Sequence, residues 1–139
     1  MKQAVFVDTS AWLALINDSD ADQKKAKAVR DKLLQGKKRF FVTDYIIVEI
    51  ANSLCKVRWR SKAVELINSI RETDLIEVVE IDKELSEEAW NMYSTRTDKE
   101  WSLTDCTSFV VMKKYGIRDA FTIDHHFEQA GFEVLIKQR

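Results

Sequence analysis

The chain has 139 residues, 45% of them hydrophobic and 32% charged, with a formal net charge of −1. That length predicts a single globular domain that buries about two-thirds of its unfolded surface and needs no disulfide or metal staple to fold. The composition excludes a disordered chain and a bulk polycation, so any nucleic-acid contact has to come from a local basic patch.

Residues 4–7 predict a short buried strand. Residues 11–16 predict a short apolar helix capped by Thr9 or Ser10. A longer helix is expected over 20–35, with acids at its start, bases later and Gly36 as its stop, a polarity that suits the helix dipole. Phe40-Phe41-Val42 reads as the second strand. Thr43 or Asp44 then caps a helix over about 45–58, with Ile46, Ile47, Ile50, Leu54 and Val57 as its buried stripe. Ser61 is the expected cap of a helix over 62–72, with Val64, Ile67 and Ile70 inward. Residues 76–81 predict a third strand. Asp82 caps a helix over 83–95, and another helix over 103–115 closes at Gly116. Residues 119–123 and 133–136 complete five strands. Strands separated by helical stretches predict a mostly parallel sheet with helices on both faces.

Cys55 and Cys106 lie in apolar helical stretches without zinc or disulfide spacing, and read as reduced core thiols. No apolar run reaches the roughly 20 residues of a membrane span, and the first one breaks at Asp8, so neither a membrane anchor nor a signal peptide is expected; the expected compartment is the cytoplasm. Proline is absent and glycine occurs only at Gly36, Gly116 and Gly131, which excludes a Gly-rich phosphate loop.

Four acids stand where the strand pattern gives them meaning: Asp8, Glu49, Asp105 and Asp124. Ligands of open α/β sheets bind at the carboxyl ends of the strands. Asp8 and Asp124 each follow a strand directly. Asp105 opens a helix that runs back antiparallel to the next strand, so it starts at the same edge. Glu49 lies about one turn into the helix after the second strand, amid Ile46, Ile47, Val48 and Ile50. Each also has an ordinary structural use. Asp8 suits a helix cap, Asp105 a capping box with Ser102, and Asp124 a turn. Glu49 is the hardest to place otherwise, because an acid near a core edge requires a partner. Converging carboxylates repel, and a divalent cation relieves them; oxygen-only sets suit Mg²⁺ or Mn²⁺, which activate water against phosphate esters.

These motifs resemble a known family. Val5-Phe6-Val7-Asp8-Thr9-Ser10-Ala11, the Glu49 helix after Val42-Thr43-Asp44, Leu103-Thr104-Asp105-Cys106, and Phe121-Thr122-Ile123-Asp124-His125-His126-Phe127 resemble, in order and spacing, the acidic motifs of PIN-domain proteins. The resemblance implies a three-layer α/β/α sandwich around a five-stranded sheet and a Mg²⁺- or Mn²⁺-dependent endoribonuclease. It implies Asp8, Glu49, Asp105 and Asp124 as catalytic acids and metal ligands, with Thr9, Ser10 and Thr122 in support. Compact proteins of this kind are often VapC-type toxins of type II toxin–antitoxin pairs, so a homodimer, an antitoxin partner and an RNA substrate are expected. Arg58, Arg60, Arg96 and Lys99 are candidate RNA contacts, with Trp59 and Trp101 as possible stacking surfaces beside them. His125 and His126 read as a surface turn.

Three rivals belong beside this reading. A housekeeping RNA-processing nuclease would share every motif. A catalytically silent binding module would keep the fold alone. A phosphatase with Asp8 as aspartyl nucleophile would need an acid two residues on, where Ser10 stands.

Overall fold

The structure is a computed structural model that describes residues 3–137. Five parallel strands, β1 (Ala4–Val7), β2 (Arg39–Thr43), β3 (Ile76–Val79), β4 (Asp119–Phe121) and β5 (Glu133–Val134), pair in the order β3-β2-β1-β4-β5. From β1 the chain steps outward to β3, crosses back, and steps outward on the other side of β1 through β4 and β5. Right-handed crossovers then send the helices of each half to opposite faces. Helices α1 (Thr9–Ile16), α2 (Gln23–Gln35), α3 (Asp44–Ser53) and α4 (Val57–Glu72) belong to the first half, and α5 (Lys83–Thr95), α6 (Leu103–Tyr115) and α7 (His125–Gln129) to the second.

Strand alternation reports the two layers directly. Val7, Phe40 and Phe121 face a cleft shared with Trp12, Leu15 and Leu34 of the first half. Phe6 and Phe41 point the other way, with ring centroids 6.2 Å from Phe127 and 5.4 Å from Tyr115. Helix α6 is covered on nearly every side, since each residue from Cys106 to Met112 is buried. Phe109 is its anchor: its ring meets Trp101 at 5.1 Å, Phe127 at 5.0 Å and Phe132 at 5.7 Å. The expected three-layer α/β/α architecture is therefore the observed one. No helix among the described residues is long and apolar enough to cross a membrane.

Several local expectations are corrected. The expected helix over 45–58 ends at Ser53, and Val57 is 93% exposed rather than inward. Leu54 is buried and its N–H still bonds the Ile50 carbonyl, but the chain then turns, and α4 starts at Val57 with Ser61 inside it. The buried positions of α4 are Ala63 and Ile70, while Val64 is exposed. A continuous apolar rhythm hid the break, because neither glycine nor proline marks it. Cys55 sits in that turn and is exposed, so only Cys106 is a core thiol. Gly36 ends α2 without a left-handed backbone, and the adjoining Lys37 takes it instead, at φ 53°. The last strands are shorter than expected: β4 stops at Phe121 and β5 at Val134.

Two substitutions separate packing from backbone effects. Phe109→Ala removes the ring that joins α6 to α7 and to the loops of Trp101 and Phe132, and lowers unfolding free energy by about 3–5 kcal/mol. Gly116 closes α6 in the left-handed region at φ 66°, and a Cβ there meets nothing within 4 Å. Gly116→Ala therefore costs only the backbone strain, about 1 kcal/mol. Urea unfolding of both variants measures the difference.

Candidate active site

The sheet reverses its strand order between β1 and β4, and the crevice at their carboxyl ends is where a ligand fits. Asp8 leaves β1 there. Its N–H still bonds the Phe121 carbonyl at 3.0 Å, continuing the ladder, so the side chain is delivered into the crevice and is only 6% exposed. Asp8 occupies the N-cap position of α1, yet its carboxylate makes no capping bond. Oδ2 instead accepts from Thr122 Oγ1 at 2.8 Å and from Ser10 Oγ at 3.1 Å. The two hydroxyls are 2.9 Å apart. Each also accepts a backbone N–H of the β4–α7 turn, Ile123 on Ser10 and Asp124 on Thr122, at 3.1 Å and 3.0 Å. Ser10, where a phosphatase would carry its second acid, is part of this support.

Glu49 comes from α3. The Thr43 hydroxyl caps that helix by accepting the Ile46 N–H, which sets its start beside the crevice. Thr9 Oγ1 donates to Glu49 Oε1. Glu49 also lines a groove with Tyr45, Val48, Asn52 and Thr104.

Asp105 combines the structural and the functional role that its position allowed. It closes the capping box of α6: Ser102 Oγ accepts the Asp105 N–H at 2.9 Å, and Asp105 Oδ2 accepts the Ser102 N–H at 3.1 Å. The same carboxylate, with that of Glu49, acts electrostatically on Asp8. Asp124 caps α7, a helix absent from the expected elements, by accepting the His126 N–H at 2.9 Å. His126 then turns inward, its Nδ1 3.0 Å from Asp105 Oδ2 and 3.5 Å from Asp124 Oδ1. The surface-turn reading of the histidine pair is thus right for His125, whose side chain is 73% exposed, and wrong for His126, at 22%. The spacing of Phe127 and Ala130 behind a capping Asp124 was the available signal for α7, and with it for the orientation of His126.

The proposed RNA contacts lie at the surface, three of them exposed and Lys99 half-buried. Arg60 donates to the Cys55 carbonyl at 2.7 Å, and Arg58 lies over the Trp59 ring. Arg96 pairs with Asp98 through two nitrogens and lies 4.9 Å from the centre of the Trp101 ring, while Lys99 is 4.0 Å from Asp98. Trp101 is not a stacking surface: it is buried against Phe109, and its Nε1 donates to Gln129 at 3.0 Å.

Burial, followed by the neighbouring charges of Asp105 and Glu49, pushes the Asp8 carboxyl up to about 6, against the pull of the Thr122 and Ser10 hydroxyls. Such a site carries more negative charge than its own groups offset. Its donors on the Asp8 side are carboxylate and hydroxyl oxygens, hard ligands that suit a small divalent cation. The carboxylates of Asp8, Glu49 and Asp105, which act on one another electrostatically, therefore suit the divalent cation that the motifs imply. Asp124, His125 and His126 also place one ligand atom each within 4.8 Å of one another.

Residues 5–133 match the family model of the PIN domain. The chain is 34% identical over 128 residues to the 23S rRNA-specific endonuclease VapC20 of Mycobacterium tuberculosis, covering 92% of this chain and 95% of the relative. The crystal structure of that sarcin–ricin loop cleaving toxin superposes with a TM-score of 0.83 at 32% identity, over the same shares of the two chains. FitAcB from Neisseria gonorrhoeae, at 14% identity and a TM-score of 0.70, covers 94% of this chain and 96% of its own. DNA-bound VapBC from Salmonella typhimurium, at 12% and 0.69, covers 96% and 97%. These last two share the fold.

The raised Asp8 carboxyl makes the metal-free protein pH-sensitive. Its folded value of about 6 exceeds the ordinary 3.8, so the folded state holds the proton longer than the unfolded chain. The stability associated with that proton is complete below pH 4 and is lost as pH rises through 6, a change of roughly 3 kcal/mol. Asp8→Asn flattens this limb. Thermal unfolding in EDTA between pH 4.5 and 8 checks the sign, and added divalent cation stabilises the wild type more at pH 8 than at pH 5.

Proposed function

The chain belongs to the PIN-domain family, and we propose that it is a divalent-metal-dependent endoribonuclease acting as the toxin of a VapBC-type toxin–antitoxin pair. The observation that carries the chemistry is the gathering of Asp8, Glu49 and Asp105 from three separate elements at the β1–β4 crevice. Similarity along 92% of the chain to a ribosomal-RNA endonuclease supports a folded ribosomal RNA segment as substrate. An antitoxin partner, a homodimer and a cytoplasmic site of action belong to the same proposal, as the family resemblance implies.

In this reading Asp8, Glu49, Asp105 and Asp124 hold Mg²⁺ or Mn²⁺. The cation supplies Lewis acidity, offsetting charge that gathers on the phosphate and making the attacking water more acidic. Thr122 and Ser10 hold Asp8 in one orientation. Glu49 is the proton acceptor in this reading: it lines the groove, and Thr9 is the hydroxyl that donates to its Oε1. Asp124 is less suited to that task, since its Oδ1 already accepts from His126. Arg58, Arg60, Arg96 and Lys99 contact RNA phosphates; the exposed Arg96–Asp98 pair is screened by solvent and yields to a phosphate. Water attacks phosphorus as the P–O3′ bond breaks, the 3′ oxygen leaves and takes up a proton, and the products carry 5′-phosphate and 3′-hydroxyl ends.

Purified protein is incubated with 23S rRNA and with its isolated stem-loops in EDTA, Mg²⁺ or Mn²⁺. Cleavage appears only with metal. Asp105→Asn, which keeps a capping oxygen on α6, lowers the rate by at least about 100-fold while the circular dichroism is unchanged. Undiminished cleavage by this variant, or cyclic phosphate ends, contradicts the mechanism.

A further inference from the structure

The four-acid set leaves His126 without a role, yet it hydrogen-bonds the carboxylates of two of those acids, on different elements. We propose that His126 is a positioning residue, a clasp whose ring holds the Asp105 carboxylate and whose backbone N–H holds that of Asp124. The inference rests on the nuclease reading above, because it concerns the geometry of the same acids.

The ring geometry specifies a tautomer. Asp105 Oδ2 lies 3.0 Å from Nδ1, and a carboxylate oxygen only accepts, so Nδ1 carries the proton. In the neutral imidazole Nε2 is then the bare nitrogen. Asp105 Oδ2 already accepts the Ser102 N–H at 3.1 Å. Two donors from separate segments thus meet on one oxygen, and Oδ1 is the atom left to face a cation. The capping box alone ties Asp105 to its own helix. His126 ties it to the β4–α7 turn, where Asp124 stands.

The clasp is built on a rigid mount. Helix α7 has only five residues, but Phe127 beside His126 is fully buried, and Gln129 accepts the Trp101 indole N–H. Phe127 in turn packs edge-on against Phe109 of α6, the helix that carries Asp105. The ring is therefore held in register with its acceptor by the core beneath it. Partners of this kind, which orient metal-binding groups, change metal affinity or activity by about 10–100-fold when removed.

The test compares His126→Ala, His126→Asn and His126→Gln in the full chain. The Asn amide N–H reaches the place of Nδ1, and the longer Gln reaches that of Nε2. Mn²⁺ affinity is measured without RNA, from the free Mn²⁺ signal in electron paramagnetic resonance. His126→Ala binds Mn²⁺ about tenfold or more weakly. It also lowers kcat by a similar factor, with KM for RNA little changed. Asn restores most of both losses and Gln does not. Nitrogen-15 spectra of the wild type show His126 protonated at Nδ1, before and after Mg²⁺ is added. Wild-type Mn²⁺ affinity in His126→Ala overturns the proposal, as does a ring protonated at Nε2 but not at Nδ1, or a Gln variant equal to Asn. A ring-nitrogen shift typical of coordination on adding Zn²⁺ alone leaves the Mg²⁺ result decisive; the same shift with Mg²⁺ makes His126 a ligand and also overturns it. If the alanine variant does not fold, the Asn–Gln comparison and the wild-type tautomer decide. If the wild type binds Mn²⁺ but cuts no RNA, the nuclease reading fails while binding and tautomer still judge the clasp.

Discussion

Asp8 Oδ2 accepts two hydroxyl hydrogen bonds at the carboxyl end of the central strand, where the side chain is 6% exposed. Burying a carboxylate is unfavourable unless hydrogen bonds or an opposite charge compensate, and hydroxyls supply only part of that compensation. The neighbouring acids add repulsion, which is why the group's affinity for a proton rises. The β4–α7 turn depends on the same arrangement. Thr122 and Ser10 both accept backbone N–H groups of that turn while donating toward Asp8. The Asp8 carboxylate and the local chain path are thus one hydrogen-bonded unit.

Helix α6 shows how such a site is kept rigid. Its central residues are buried on all sides, so its position is set by packing rather than by an amphipathic face. The capping box fixes its first turn, and an acid there is favoured by the helix dipole. Asp105 therefore stabilises its own helix and serves the crevice with the same carboxylate. The electrostatic conflict of converging acids is reduced because part of each charge is already met: Asp105 by Ser102 and His126, Glu49 by Thr9, Asp124 by the His126 N–H. The charges of Asp105 and Glu49 still act on Asp8.

The fold relates this chain to relatives at very different distances. The sheet order and layers are shared with structures at 12–14% identity, where few side chains agree. Such likeness reports the arrangement of layers that buries apolar strands between helices. Kinship at 34% over 128 residues reaches further, to the class of chemistry, and the PIN-domain match over residues 5–133 spans all four acidic motifs.

Much of this was legible in the linear chain. Continuous apolar runs such as Val5-Phe6-Val7 mark strands covered on both faces, and acids that end such runs must lie at their carboxyl edge. Asp82, Ser102 and Gly116 announced helix ends through local chemistry that acts within a few residues. By itself the sequence determined the alternation of strands and helices, the parallel sheet and the common edge of Asp8, Glu49, Asp105 and Asp124, because each follows from periodicity and chain direction. It did not reveal the turn at 54–56, where no glycine or proline interrupts the apolar rhythm, nor that Val57 faces solvent. Only the tertiary structure decided that Thr122 and Ser10 meet on one Asp8 oxygen, that Trp101 is core, and that His126 rather than His125 enters the site. Those outcomes depend on contacts between segments up to 114 residues apart, whose register is set by packing and carries no local signature.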